Sequence, residues 1–183
     1  MDTTPFYVFL FVHLSSLILG FGSVLVTDLY GLLWLRGRVS FPQVTKVSGV
    51  TARFIWVGWG GMVAAGIPLI LLKGMVDDLM IVKLFLVAVI GVNGVLLHLL
   101  HKRVEHYKEG EDVPPVLMFR LTLSLLVSQL AWWGALLIGF LHRHVQSVIS
   151  WPDTPWLACA LALASVLLLW AGGEAAMKRW VQA

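Results

Sequence analysis

Five long apolar runs divide this chain, and they limit its fold more than any other feature does. A helix that crosses a bilayer needs about 20 consecutive apolar residues, so each run predicts one transmembrane helix. The segments between them are too short for a soluble domain. The sequence therefore predicts an all-α integral membrane bundle of five transmembrane helices, forming a single domain over residues 1–183. The runs cover residues 6–35, 54–73, 79–101, 117–141 and 155–176.

The composition agrees with a lipid environment. The chain is 59% hydrophobic and 13% charged, whereas a soluble domain is about half apolar and a quarter charged. Its net charge of +3 could suggest nucleic acid, but the basic residues flank apolar runs. We therefore expect the lipid bilayer, and not nucleic acid, as the partner. The single cysteine excludes an intrachain disulfide.

The basic residues also predict the orientation, because lysine and arginine concentrate in cytoplasmic loops. One side has only Lys73, Lys83 and Arg143, which places the N-terminus outside and the C-terminus in the cytoplasm. Residues 1–7 lack the basic start of a signal peptide, so we expect the first span to be retained. The predicted cytoplasmic side has Arg36, Arg38, Lys46, Arg53, Lys102, Arg103, Lys108, Arg120, Lys178 and Arg179.

The third run keeps four polar residues in a nearly pure membrane stretch, KLFLVAVIGVNGVLLHLLHKR. These are Lys83, Asn93, His98 and His101. On a helix they share one side with two glycines, which predicts that this side faces the interior of the bundle. The glycines would admit another helix or a flat cofactor.

The first run has a similar polar side, which contains His13 and Asp28. His13 and Asp28 are separated by the same number of residues as Lys83 and His98. We therefore expect two polar layers, with His13 and Lys83 near the outer face and Asp28 and His98 near the inner face. Two small-xxx-small pairs, at residues 16–20 and 27–31, predict close helix contact.

An ionisable residue in a membrane helix is a functional hypothesis, but simpler roles remain. Lys83, Arg53 and Arg120 can extend to the headgroups, and Asp28 can pair with Arg53 or Arg120. Asp28, Asn93, Arg53 and Arg120 are the candidates for a proton or ion pathway.

Two sequence stretches carry a resemblance to a known family. His13 lies in FVHLSSLILGFG, and the third run reads KLFLVAVIGVNGVLLH and ends at His98. This pattern, over roughly the first 100 residues, resembles the haem-b membrane protoporphyrinogen oxidase family and related small bacterial proteins, including copper-resistance D-type proteins. The resemblance implies haem b, with His13 as a ligand and Lys83 or His98 assisting. It also implies a multi-pass protein of the bacterial inner membrane. Leu97 stands where that family has a tyrosine, which leaves the reaction open.

Three functions remain open from the sequence. The first is a haem-b protein with a redox or electron-transfer role, which would make it a membrane oxidoreductase. Its cofactor-binding candidates are His13, Lys83, His98 and His142. Ligation by two histidines requires His13 with His142, or equivalent histidines in a homodimer.

The second is an ion, metal or proton transporter, with His13 and His98 as metal candidates and Asp28 beside His98. His142 and His144, with Asp153, would capture the metal outside. The third is a non-catalytic subunit of a membrane complex, whose buried polar residues only fix helix pairing.

Overall fold

The computed structural model describes residues 4–107, 111, 113–144 and 154–182, without the side chains of residues 142–144 and 181–182. Within these ranges the chain is all-helical and contains no strand. Each of its five helices is long and apolar enough to cross a membrane, which confirms the prediction of five such helices. The helices are α1 (Thr4–Leu35), α2 (Phe41–Lys73), α3 (Asp78–Val104), α4 (Pro115–His144) and α5 (Pro155–Gln182).

The turn between α1 and α2 is set by glycine at the end of α1. Gly37 has φ +65°, a conformation that glycine adopts without steric cost. The Gly37 amide donates to the Trp34 carbonyl at 2.8 Å, and the Arg38 amide donates to the Leu33 carbonyl at 2.9 Å. These two bonds form a Schellman motif, which ends the helix and satisfies its last carbonyls.

Helix α2 starts well before residue 54, where the second apolar run begins. Lys46 and Arg53 lie inside the helix. Local chemistry explains the early start, because the Gln43 side chain accepts the Ser40 amide at 2.8 Å. Pro42 lies in the first turn, where a missing amide proton costs nothing. Hydropathy marks only the apolar part of this helix.

A second glycine turn joins α2 to α3. Gly74 has φ +73° and donates its amide to the Ile70 carbonyl, which is the αL type of helix ending. Three residues later Asp77 caps α3, with its carboxylate accepting the Met80 amide at 2.9 Å. The two helices are therefore joined by a turn of only a few residues.

The five helices form two compact units, α1 with α2 and α3 with α4 and α5. The prediction that all five form a single domain stays a prediction. In the first unit, residues of rising number on α1 meet residues of falling number on α2, so the pair is antiparallel. The contacts are His13 with Met62 and Gly66, Ser16 with Gly61, Gly20 with Gly58, Thr27 with Thr51, and Trp34 with Phe41.

In the second unit α4 packs against both α3 and α5. Trp132 on α4 lies in the core of this unit, and only 1% of the tryptophan surface is exposed. Arg120 on α4 binds Glu174 on α5, and its Nη2 lies 2.7 Å from Oε1 of Glu174. Near this ion pair the ring of Phe119 contacts α5 at Gly173.

The surface is apolar and the buried positions include polar residues. Ile18, Leu71 and Leu168 are 73–74% exposed, while Asn93 and Ser124 are buried. A water-soluble protein does not leave so many large aliphatic side chains exposed. This distribution is typical of helices that contact lipid through large side chains and contact each other through small and polar ones.

Candidate functional site

His13 is held against α2 by a hydrogen bond between two distant parts of the chain. Its Nδ1 lies 2.8 Å from the carbonyl oxygen of Met62. A carbonyl oxygen can only accept, so Nδ1 carries the proton, and in the neutral ring Nε2 is then the acceptor nitrogen. In metal-binding histidines, one ring nitrogen commonly donates to a backbone carbonyl in this way while the other binds the metal.

Glycine gives the imidazole its space on α2. A Cβ atom at Gly66 would lie 3.5 Å from Nδ1 and Cε1 of the His13 ring, so the ring packs directly on the helix backbone. One turn earlier on α2, a Cβ at Gly61 would lie 2.5 Å from Ser16 Oγ. Small residues of α2 therefore contact the polar side of α1 at His13 and Ser16.

Asn93 makes the corresponding contact between α3 and α4. Only 7% of this residue is exposed, and its amide nitrogen donates to the Ser124 carbonyl at 2.8 Å. The hydroxyl of Ser124 is buried and has no hydrogen-bond partner within the described part of the chain. The sequence prediction that Asn93 faces other helices is confirmed.

The other polar residues of α3 do not all share that buried side. Lys83 is half-buried, with Nζ 3.2 Å from the position of a Cβ at Gly139 on α4. His98 is exposed, which makes the prediction of one common buried side wrong for this residue. The buried side of α3 is centred on Ile90, Asn93 and Leu100, and His98 lies about 110° or more around the helix from it.

The remaining candidates for an ion pathway are distributed between the two units. Asp28 is half-buried on α1, next to Thr27, whose hydroxyl lies 2.7 Å from that of Thr51. Arg53 is exposed on α2. Arg120 binds Glu174 through two nitrogens, at 2.7 and 3.2 Å. The bond to Glu174 gives Arg120 a structural partner other than the predicted Asp28.

The predicted outer metal site lies outside the described residues. This holds for the side chains of His142 and His144 and for the whole of Asp153. Within the described ranges, no three side chains of histidine, cysteine, aspartate or glutamate are close enough together to bind a metal ion. His13 and His98 are thus not part of a three-ligand protein site among these residues.

The sequence did not predict a role for Met62 on α2 or for Ser124 and Ser128 on α4. The Met62 carbonyl that fixes His13 belongs to the backbone and leaves no trace in the side-chain pattern. Ser124 and Ser128 are both buried on α4, and their spacing by one turn in an apolar run is a signal that identifies the polar side of α4.

Comparison of the chain with models of protein families, with curated proteins and with solved structures found no match. The likeness to haem-b membrane proteins therefore stays a resemblance in sequence pattern. Any function has to be argued from the residues themselves.

Proposed function

We propose that this chain is a b-type haem protein of the membrane, with His13 as an axial ligand and a role in electron transfer. The observation that carries the proposal is the bond from His13 Nδ1 to the Met62 carbonyl. It fixes the ring and its tautomer as the outer-shell partners of metal ligands do, and it makes Nε2 the basic nitrogen.

The residues that are present fit a haem better than a free metal ion. The porphyrin supplies four ligands of the iron, so the protein needs to add only one or two axial side chains. One well-oriented imidazole meets this need. A structural or catalytic zinc site would require three or four protein ligands, and no such group exists within the described ranges.

Each residue would have a defined task. Bound haem b would supply one-electron chemistry. His13 would hold the iron, and the Met62 carbonyl would keep the imidazole oriented and raise its basicity. The apolar side chains around α1 and α2 would exclude water and keep the local dielectric constant low.

The same hydrogen bond also supports a second candidate, a non-catalytic membrane subunit. Here the bond between His13 and Met62 serves only to join α1 to α2. A hydrogen bond between membrane helices contributes about 0.6 kcal/mol on average and up to about 1.7 kcal/mol. This candidate requires no cofactor, so the presence of haem separates the two.

The orientation is part of the proposal. If each of the five helices crosses the membrane once, ten of the 13 lysines and arginines fall on the same side as the α1–α2 turn and the C-terminus. Lysine and arginine near span ends mark the cytoplasmic side. We therefore infer an outer N-terminus and a cytoplasmic C-terminus in a bacterial inner membrane.

The test is the absorption spectrum of the detergent-purified protein after expression with added haem precursor. We expect a Soret band, with α and β bands that sharpen on reduction by dithionite. His13→Ala should lower the haem content at least about tenfold, because losing even an outer-shell partner of a metal ligand costs about 10–100-fold in affinity.

His106→Ala is a matched control. His106 Nδ1 also lies 2.8 Å from a carbonyl oxygen, that of Lys102, but this bond stays within one helix end and the ring is exposed. This variant should keep its haem. Equal haem in the two variants contradicts the assignment of His13, and a wild-type protein without a Soret band favours the subunit role.

A further inference from the structure

A cavity of about 660 Å³ opens where the end of α3 meets the beginning of α4. Both helices belong to the same compact unit. Four basic side chains line it, Lys102, Arg103 and His106 from α3 and the residues just after it, and Arg120 from α4. The proposed haem ligand His13 is not among them.

Among the described residues, the basic side chains of this cavity differ in whether a carboxylate pairs with them. Lys102 and Arg103 are exposed, and neither forms an ion pair with a carboxylate of the described part of the chain. Glu174 is shared between Arg120 and Lys178, at 2.7 and 2.9 Å. An anion that enters the cavity would therefore be attracted by the positive charges of Lys102 and Arg103.

The rest of the lining is apolar. Val116 and Leu117 on the first turn of α4 face the cavity, together with Tyr107 and Pro114. The cavity lies at the ends of two helices that are long enough to cross a membrane, which is the depth of the lipid headgroups. Cations next to an apolar helix surface at this depth complement a molecule that has a charged head and a hydrocarbon tail.

We propose that this cavity binds the phosphate headgroup of an anionic phospholipid. Lys102 and Arg103 supply the charge that attracts the phosphate, and the apolar residues of α4 contact the first part of an acyl chain. Basic pockets between transmembrane helices bind anionic headgroups in this way. A free phosphate ion would use the cations but would gain nothing from Val116 and Leu117.

The first test uses the wild-type protein. Native mass spectrometry of the protein with dioleoylphosphatidylglycerol or dioleoylphosphatidylcholine should show a retained adduct with the former and little with the latter. Equal retention of the two lipids would overturn the proposal. Binding of inorganic phosphate that displaces the phosphatidylglycerol completely would assign the cavity to a free anion instead.

The second test removes Lys102 and Arg103, which form no ion pair with a carboxylate among the described residues. Lys102→Gln with Arg103→Gln should weaken phosphatidylglycerol binding about 30-fold, from about 1 kcal/mol per basic residue near an anionic surface. The control is Arg36→Gln with Arg38→Gln, which removes two exposed cations from another helix end outside the cavity. Equal weakening of phosphatidylglycerol binding in both variants would mean that the effect comes from general surface charge, and it would contradict a binding site in the cavity. The wild-type comparison decides the matter if the first variant does not fold.

Discussion

The structural role of a polar residue here depends on whether its hydrogen bond joins two helices or stays within one. His13 bonds to Met62 and Asn93 bonds to Ser124, so each joins two helices. His106 bonds to Lys102 in the same helix end. In lipid, where water does not compete, a bond between helices contributes to the packing. His13 and Asn93 therefore each contribute a polar contact between helices of their units, and His106 does not.

Replacing Asn93 tests this difference. Asn93→Leu should lower the free energy of unfolding by about 1 kcal/mol, because the contact between α3 and α4 loses its hydrogen bond. The measurement is equilibrium unfolding in mixtures of dodecyl maltoside and sodium dodecyl sulfate, followed by circular dichroism.

Ser124→Ala is the control for that variant. Asn93 bonds to the carbonyl of residue 124, which alanine retains. Ser124→Ala removes a hydroxyl that is buried and has no hydrogen-bond partner in the part of the chain that the structure describes. Its loss should therefore be neutral or slightly stabilising. A loss of stability as large as that of Asn93→Leu would contradict the assigned bond.

At the scale of elements, the close approach of α1 and α2 depends on glycine. A Cβ atom at Gly58 would meet the backbone of Gly20 and would lie 2.7 Å from the Ser16 carbonyl oxygen. Backbone atoms cannot move aside as a side chain does, so the whole helix would have to shift. At Gly60, two residues along, a Cβ atom would have no neighbour within 4 Å among the described residues. The contact surface of α2 is therefore a narrow stripe.

This stripe predicts opposite effects for neighbouring glycines. Gly58→Ala should destabilise the protein by about 1–3 kcal/mol through overpacking. Gly60→Ala should be neutral or stabilising by up to about 1 kcal/mol, because alanine is the better helix former. Both are measured by the same detergent unfolding, and equal effects would contradict the contact between Gly58 and Gly20.

Gly173→Ala provides an intermediate case. The added methyl group would meet the ring of Phe119, which is the end of a side chain and can rotate away. Its effect should therefore be smaller than that of Gly58→Ala. A larger effect would mean that Phe119 is fixed in place.

At the scale of the whole molecule, the number of spans sets the topology. Five helices within the described ranges can cross a membrane. If all five cross once, the two ends of the chain lie on opposite sides of the membrane. The charge distribution then favours one of two orientations, and the cavity that we propose to bind lipid belongs to the cytoplasmic side in that orientation.

Reporter fusions test that orientation. Green fluorescent protein fused after Ala183 should fluoresce, and alkaline phosphatase fused there should be inactive, because that end is expected in the cytoplasm. Fusions after Gly74, in the turn between α2 and α3, should give the opposite pair of results. The reverse pattern at both positions would overturn the inferred orientation.

The sequence by itself determined the helices and most of their ends. Apolar runs of sufficient length predict spans because unpaired backbone groups are too costly in hydrocarbon, and Gly37, Gly74 and Asp77 mark the turns by local chemistry. The early start of α2 was missed because hydropathy detects contact with lipid, whereas capping and backbone hydrogen bonds determine where a helix begins. His13 and Asn93 were also identified as polar residues that face other helices.

Only the tertiary structure decided which of the polar residues meet a partner. A helical wheel placed Asn93 and His98 on one broad side of α3, but packing against α4 buries the first and leaves the second exposed. The Met62 carbonyl that orients His13 is 49 residues away in the chain, and the cavity beside Lys102 and Arg103 depends on how α4 packs against the end of α3. Periodicity gives a direction around one helix axis. The partner at that direction depends on how another helix packs there, because side-chain shape and backbone separation together set which atoms come within bonding distance.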